Sequence, residues 1–378
     1  MLTPQLGLSV EINDEFVSTV LTYRCRQSQS QGETFPLMTT LTSPHDLLAA
    51  IPFLIGYHPT DSLVLVSLKD EAVGMAMRVD YPHKSDSNEF VNSCDLLVSH
   101  LTRECADGAL IVAYSPADRN DGLEILDQIA ASLARAGISL QESLLIFRNK
   151  WRSVLCTDRE CCPLDGRELP EIRASRIAVE QIAEGRRLPF SDLAELEDSI
   201  STLPLAHDEY FISAVVGNRV DSESDDIQQI QREGAVGVID LVSRFIAGSM
   251  GQDFVQDQEI SAKVLGKLSD IQIRDFALGS HNDATLEIYW TMWRYLTRIA
   301  PSGFIAPVAS LLAAVSYEKG DGALAHRALD RALRDDPAYS LALLLRRVFT
   351  AGWPPESFAR MRKELHPKVC AGIFERNL

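Results

Sequence analysis

The chain has 378 residues, 46% hydrophobic and 24% charged, with 36 Lys and Arg against 53 Asp and Glu for a formal charge of −17. That acidic balance works against a sequence-independent grip on nucleic-acid phosphates and against binding to anionic membrane surfaces, since both need clustered cations. The length allows two or three domains with full cores, no apolar run is long enough to cross a bilayer, and MLTPQLGLSVEINDEF lacks the basic flank and apolar core of a secretory signal.

Residues 1–37 are expected to form a disordered extension, because TYRCRQSQSQGETFPL is polar and rich in Gln and Ser with no sustained period. Met38, standing just ahead of the first patterned segment, is then an alternative start to Met1. An α/β domain is expected over 38–170. SPHDLLAAIPFLIG opens a helix with Ser43 as N-cap and Pro44 at the first position, and Pro52 and Gly56 are expected to break it. DSLVLVSL (61–68) reads as a central strand and VGMAMRVD (73–80) as its hairpin partner, with the turn near Asp70-Glu71. A helix follows around Glu89 to Glu104. Then GALIVAYS (108–115), GLEILDQIAASLARAG (122–137) and SLLIF (143–147) spell strand, helix, strand, a βαβ unit with parallel strands. Asn149-Lys150 allows a tight turn into WRSVLC, expected as an edge strand, after which comes CTDRECCPLDG.

Beyond Pro170 strand signals fade. A helical connecting region is expected over 171–282, a helical domain over 283–365 and a tail over 366–378. Tyr289, Trp290, Trp293 and Tyr295 are expected at the packing seam of a helix bundle. Within YEKGDGALAHRALDRALRDDP, Gly320-Asp321 marks a turn, Ala325, Ala328 and Ala332 allow close helix packing, and Asp336-Pro337 ends the second helix. This stretch resembles a single tetratricopeptide unit, which implies a surface for a protein partner if such hairpins stack.

Several phrases together, SPHDLLAAIPFLIGYHPTDSLVLVSL, MRVDYP, WRSVLCTDRECCPLDG, IRD and GDGALAHRALDRAL, resemble an actinobacterial domain-of-unknown-function family of the DUF4192 type, from about Leu41 to about Pro355. The resemblance implies a cytoplasmic protein of the same layout and carries no activity or catalytic residues with it.

Three constellations could hold chemistry. Cys156, Cys161 and Cys162 are soft donors on one turn, and zinc needs four ligands in a tetrahedron. Side chains of adjacent cysteines are expected to diverge, so missing ligands would come from Cys94, Cys105, His58 or His83. A Cys156–Cys161 disulfide, or a structural turn with buried thiols, is the alternative, and the odd total of seven cysteines suits reduced thiols in a cytoplasm. Second, the hairpin places position 61 opposite 80 and 63 opposite 78, so Asp61 and Asp80 meet with Arg78 one step in and His58 on the approach. Such a group suits acid–base or phosphate chemistry, or an ion-paired sheet end. Third, Tyr114, Ser115, Asp118 and Arg119 follow a parallel strand at the end where α/β sheets collect ligands. Glycine-rich phosphate loops, H-E-x-x-H and G-x-S-x-G are all missing from the sequence. Three functions follow: an interaction or regulatory protein without demonstrated catalysis, a small-molecule-binding protein or enzyme of the α/β domain, and a zinc or redox protein of the cysteine cluster.

Overall fold

A computed structural model of the chain describes residues 8–9, 41–70, 72–82 and 88–375, with the backbone alone at 8–9 and 88–89. Leu8–Ser9 apart, the expectations for residues 1–37, for Met38 and for His83 fall outside the described residues. The chain divides into two compact units, one ending at Leu193 and one beginning at Ala194.

The first unit is built on one mixed sheet. Its strands are β1 (Leu8–Ser9), β2 (Ser62–Lys69), β3 (Ala72–Asp80), β4 (Gly108–Ser115), β5 (Ser139–Phe147), β6 (Lys150–Ser153) and β7 (Arg167–Glu168). They lie in the order β1-β3-β2-β4-β5-β6-β7. Only β4 and β5 pair in parallel, joined through α3 (Gly122–Ala136) in the expected βαβ unit, and the other neighbours are antiparallel. α2 (Asn88–Arg103) and α3 cover one face. Leu63 and Leu65 of β2, Ile111 and Ala113 of β4, Leu101 and Ile125 close a core there with residual exposure near zero. β2 shows Val64, Val66 and Leu68 to the opposite face, and all of them are buried too, which is why the strand reads as a continuous apolar run.

Local chemistry sets the ends of these elements, and it departs from expectation in places. α1 (Pro44–Ile55) starts where Ser43 Oγ accepts the Asp46 N–H at 3.2 Å and stops at Gly56, whose φ of 90° ends the helix. Pro52 lies inside α1 and does not break it, since a proline removes only its own N–H bond to the preceding turn. The β5–β6 turn falls on Arg148 and Asn149, at φ 48° and 63°, one residue earlier than expected, with Phe147 opposite Lys150. β6 ends at Ser153 and is not an edge, because β7 pairs with its far side.

The β2–β3 register corrects the expected hairpin. The turn is where it was expected, with Lys69 opposite Ala72. Beyond the next pair, Leu68 with Val73, Gly74 and Met75 together face Ser67, a β-bulge that adds a residue to β3. Asp80 therefore lies opposite Ser62 rather than Asp61, and Leu63 opposite Val79 rather than Arg78. Gly74 is required there: a Cβ would sit 2.6 Å from Ser67 Oγ, which accepts the Met75 N–H at 2.7 Å.

The second unit is helical: α5 (Leu193–Asp198, running on from the last residue of the first unit), α6 (Glu209–Gly217), α7 (Ile227–Ile246), α8 (Phe254–Lys267), α9 (Ile271–Gly279), α10 (Leu286–Ile299), α11 (Ile305–Glu318), α12 (Gly322–Asp335), α13 (Ser340–Thr350) and α14 (Pro355–Phe374). A short helix, α4 (Arg176–Ala183), belongs to the first unit and packs on α1. Residues 207–226 contain α6, capped by Asp208 through the Phe211 N–H. Tyr289, Trp290 and Trp293 are buried on α10 as the seam requires. α11 and α12 form a helical hairpin whose Ala325, Ala328 and Ala332 are fully buried. Beneath it, Arg362 of α14 donates Nε to Glu318 Oε1 (2.6 Å) and Nη2 to Oε2 (3.0 Å), with Nη1 on the carbonyls of Gly279 and His281. His281 Nε2 completes the group 3.0 Å from Glu318 Oε2, and none of the three side chains is more than 5% exposed.

Candidate metal centre

Between β6 and β7 the chain turns through CTDRECCPLDG, and the turn is braced before any ligand is considered. Asp158 Oδ1 accepts the N–H of Glu160 at 2.8 Å and of Cys161 at 3.3 Å, while its carbonyl accepts the Cys162 N–H at 2.7 Å. Arg167 spans the loop from β7, donating Nε to Cys161 O (2.6 Å) and Nη2 to Glu160 O (2.7 Å). Gly166, at φ 73°, brings the backbone back toward β6, and a Cβ there would lie 3.1 Å from Trp151 O. Only glycine enters this left-handed conformation at little cost.

The bracing brings three sulfurs together. Cys161 and Cys162 Sγ are 4.0 Å apart, so the adjacent side chains do not diverge, and all three Sγ atoms lie within 4.8 Å of one another. Zinc–sulfur bonds of about 2.3 Å set thiolates about 3.8 Å apart in a tetrahedron. The cluster needs to close by about 1 Å at most to reach that spacing. Cys161 is exposed and Cys156 half-buried, while Cys162 is buried, and burial pushes its thiol up to about 12. A hydrogen bond from the Ser153 backbone to that sulfur opposes the shift. Backbone N–H donors of this kind stabilise a thiolate once a cation takes the proton's place.

Ser153 ties this turn to the sheet. Its Oγ accepts the Cys156 N–H at 3.1 Å and donates to Glu142 Oε1 at 2.7 Å. Glu142 is buried on β5, and burial raises its carboxyl pKa against the bonds from Ser153 and Ser143. Ser153, Asp158, Arg167 and Glu142 escaped the sequence reading. The first three sit beside or inside the cysteine phrase and could have been suspected as its bracing, whereas Glu142 could not.

The other expected ligands are elsewhere. Cys94 is part of the α2–α3 core, its thiol pushed up to about 11 by burial, and Cys105 is exposed at the end of α2. Among the described residues no other histidine, cysteine or carboxylate joins the three sulfurs.

The second constellation does not assemble. Arg78 pairs with Asp80 two residues along the same strand, while Asp61, at φ 42°, is one step out of register and gives its carbonyl to the Tyr81 N–H. His58 is half-buried, with its pKa lowered by burial and then by Arg173. The third constellation is partly realised. Tyr114 and Ser115 end β4, and Ser115 Oγ donates to Tyr81 Oη, which donates to Asp121 Oδ1, each at 3.1 Å. Arg119 lies 5.3 Å over the Tyr81 ring, binds Asp121 through Nε and Nη2, and reaches Pro82 O. Burial drives the Tyr81 hydroxyl to about 12. Burial also opposes ionisation of Asp121, but the bonds from Arg119 and Tyr81 outweigh it and hold its pKa low. The hydrogen-bonding groups of this cluster are directed at one another and brace the sheet end. Tyr81 and Asp121, 40 residues apart, were not singled out from the sequence.

A family model described as "Domain of unknown function (DUF4192)" matches residues 44–356. The chain belongs to this family. Comparison with curated proteins and with solved structures returns no match. DUF4192 membership thus covers β2 to β7, the cysteine turn and most of the helical unit, and brings no named activity. No described helix is long and apolar enough to cross a membrane.

Proposed function

We propose that this chain is a zinc-holding interaction protein of the cytoplasm. Its α/β unit fixes the β6–β7 turn around a thiophilic divalent cation, and its helical unit recognises a protein partner. The observation that carries the reading is the convergence of Cys156, Cys161 and Cys162 within 4.8 Å. Thiolate donors select zinc-like ions over hard cations. Three sulfurs with a backbone donor suit a cation better than a disulfide, which uses two. Three thiolates on a dication leave one negative charge, and Arg167, hydrogen-bonded to the Cys161 carbonyl, is the adjacent cation.

The sulfurs would hold the cation, with its fourth position left to a ligand from outside this turn. That is a role in shape and recognition rather than in turnover. The tetratricopeptide-like reading of α11 and α12 belongs to the same proposal, as the place where a partner helix would dock. A second reading, small-molecule binding by the α/β unit, draws on the Tyr81–Ser115–Arg119–Asp121 group at the carboxyl end of β4. It requires a saturable ligand whose binding is weakened by Tyr81→Phe.

The test is metal content by mass spectrometry on untagged protein beside Cys161→Ser. About one zinc per chain, lost in the variant, is the expected result. Metal-free protein that takes up no zinc on titration, with its three turn thiols behaving independently toward an alkylating reagent, would overturn the reading.

A further inference from the structure

The helical unit holds a cluster of cations that the proposed function does not use. On α12, Arg327, Arg331 and Arg334 follow one another at i, i+4 and i+7 and line a cleft of about 590 Å³. α5 and the segment after it also line the cleft, with Ser201 and Thr202, as does Ser302. A volume of this size suits a small ligand.

Three carboxylates also line the cleft, and two of them are already occupied. Glu197 accepts Arg327 Nη1 at 3.1 Å. Asp335 receives the N–H groups of Gly303, Ile305 and Ala306 at the start of α11, at 2.7 to 3.0 Å. Asp198 stands exposed at the rim. Arg331 is the deepest cation, only 9% exposed, and its guanidinium meets neutral oxygens alone: the Ile200 carbonyl and Thr202 Oγ1. Burial lowers its pKa to about 10, helped by the like charges of Arg334 and of Arg298 on α10 and opposed by Asp335. Burying a cation among like charges is costly when the carboxylate nearest it, Asp335, is already taken up by three backbone N–H groups, and an oxyanion held by guanidinium forks relieves that cost.

Arg331 also fastens the segment over it, as Arg298 does through Ser201 O, so stapling alone could explain those two. It does not explain Arg334. Among the described residues that side chain reaches only the Asp330 carbonyl of its own helix, yet it faces the cleft. In a chain of net charge −17, a cation-lined recess is also what a diffusing anion needs to approach at all.

We infer that this cleft binds an oxyanion of the phosphate-ester or polyphosphate class, with Arg331 at its floor and Arg334 at its mouth. The experiment titrates the full chain with inorganic pyrophosphate at constant ionic strength by calorimetry, beside Arg334→Glu and a control, Arg347→Ala, at an exposed position on α13. Saturable binding, weakened at least about tenfold by Arg334→Glu and unchanged by Arg347→Ala, is expected. Citrate separates phosphate recognition from general attraction of anions and should bind measurably more weakly. Failure of pyrophosphate to bind, equal binding by Arg334→Glu, or equal binding of citrate would each overturn the inference. None of these results depends on zinc.

Discussion

The two units each contain a dense polar cluster, and they differ in what is left over. In the helical unit, Glu318 spends both carboxylate oxygens on Arg362 and His281, and Arg362 spends its remaining reach on two carbonyls. In the α/β unit, the cysteine turn is braced by Asp158, Arg167 and Ser153, yet its three sulfurs face one another with nothing strong to bind. Thiols are weak donors and weak acceptors, so bringing three together gains little by itself. A cluster whose strong groups pair internally is a lock, whereas one whose bracing is complete but whose convergent atoms are unsatisfying partners is a site.

The contrast can be broken most severely at Arg362. Arg362→Met leaves Glu318 and His281 buried without their cation, and should cost about 3–5 kcal/mol by denaturant titration. A loss below about 1 kcal/mol would show that the lock does not hold the helices together. At the cysteine turn the expected effect is smaller and conditional. With free zinc near a hundred times its Kd, the wild-type chain should gain about 2.7 kcal/mol over chelated protein, and Cys161→Ser should gain none. Gly166→Ala tests the bracing without touching a sulfur. Its left-handed φ should make it cost about 1–2 kcal/mol and weaken zinc retention.

The smallest effect concerns pH. Burial, first among several causes, lowers the pKa of His281, while the bonds from His281 and Arg362 overcome burial and lower that of Glu318. A base with a depressed folded pKa contributes stability that is present above its unfolded pKa, 6.5, and is lost as pH falls through the folded one. Glu318 acts in the same sense at lower pH, below its unfolded value of 4.5. The melting temperature should therefore decline on acidification below pH 6.5, and His281→Gln should flatten that decline between pH 6.5 and 5. An identical slope in the variant would remove His281 from the account.

The sheet was largely legible because its cues are local. β4, α3 and β5 announce themselves by period, and α1 by Ser43-Pro44. The cysteine turn was legible as a place but not as a geometry. Whether adjacent cysteines converge depends on where Asp158 and Arg167 hold the backbone, and residue type does not specify that. The hydrogen bonds of the Tyr81–Ser115–Asp121 group and of the Glu318 lock join residues 34 to 83 positions apart, which no periodicity connects. The hairpin register was the avoidable error, since a glycine inside a strand pattern, here Gly74, is itself a signal of a bulge.

That bulge fixes the parity of β3. Val73 and Met77 are four residues apart and would share a face in a regular strand, but Val73 pairs with Leu68, whose face is opposite to the one Met77 joins. Flattening the bulge with all its residues kept would give an even ladder and invert everything after it. Met77 and Val79 would turn away from the core under α2 and α3, and Arg78 would point into it. For a lineage carrying this hairpin, residues 74–75 form a reading frame written in three dimensions. Loss of Gly74 itself would leave the later pairs as they are, but an even ladder that kept all of these residues would exchange inside and outside for the rest of the strand.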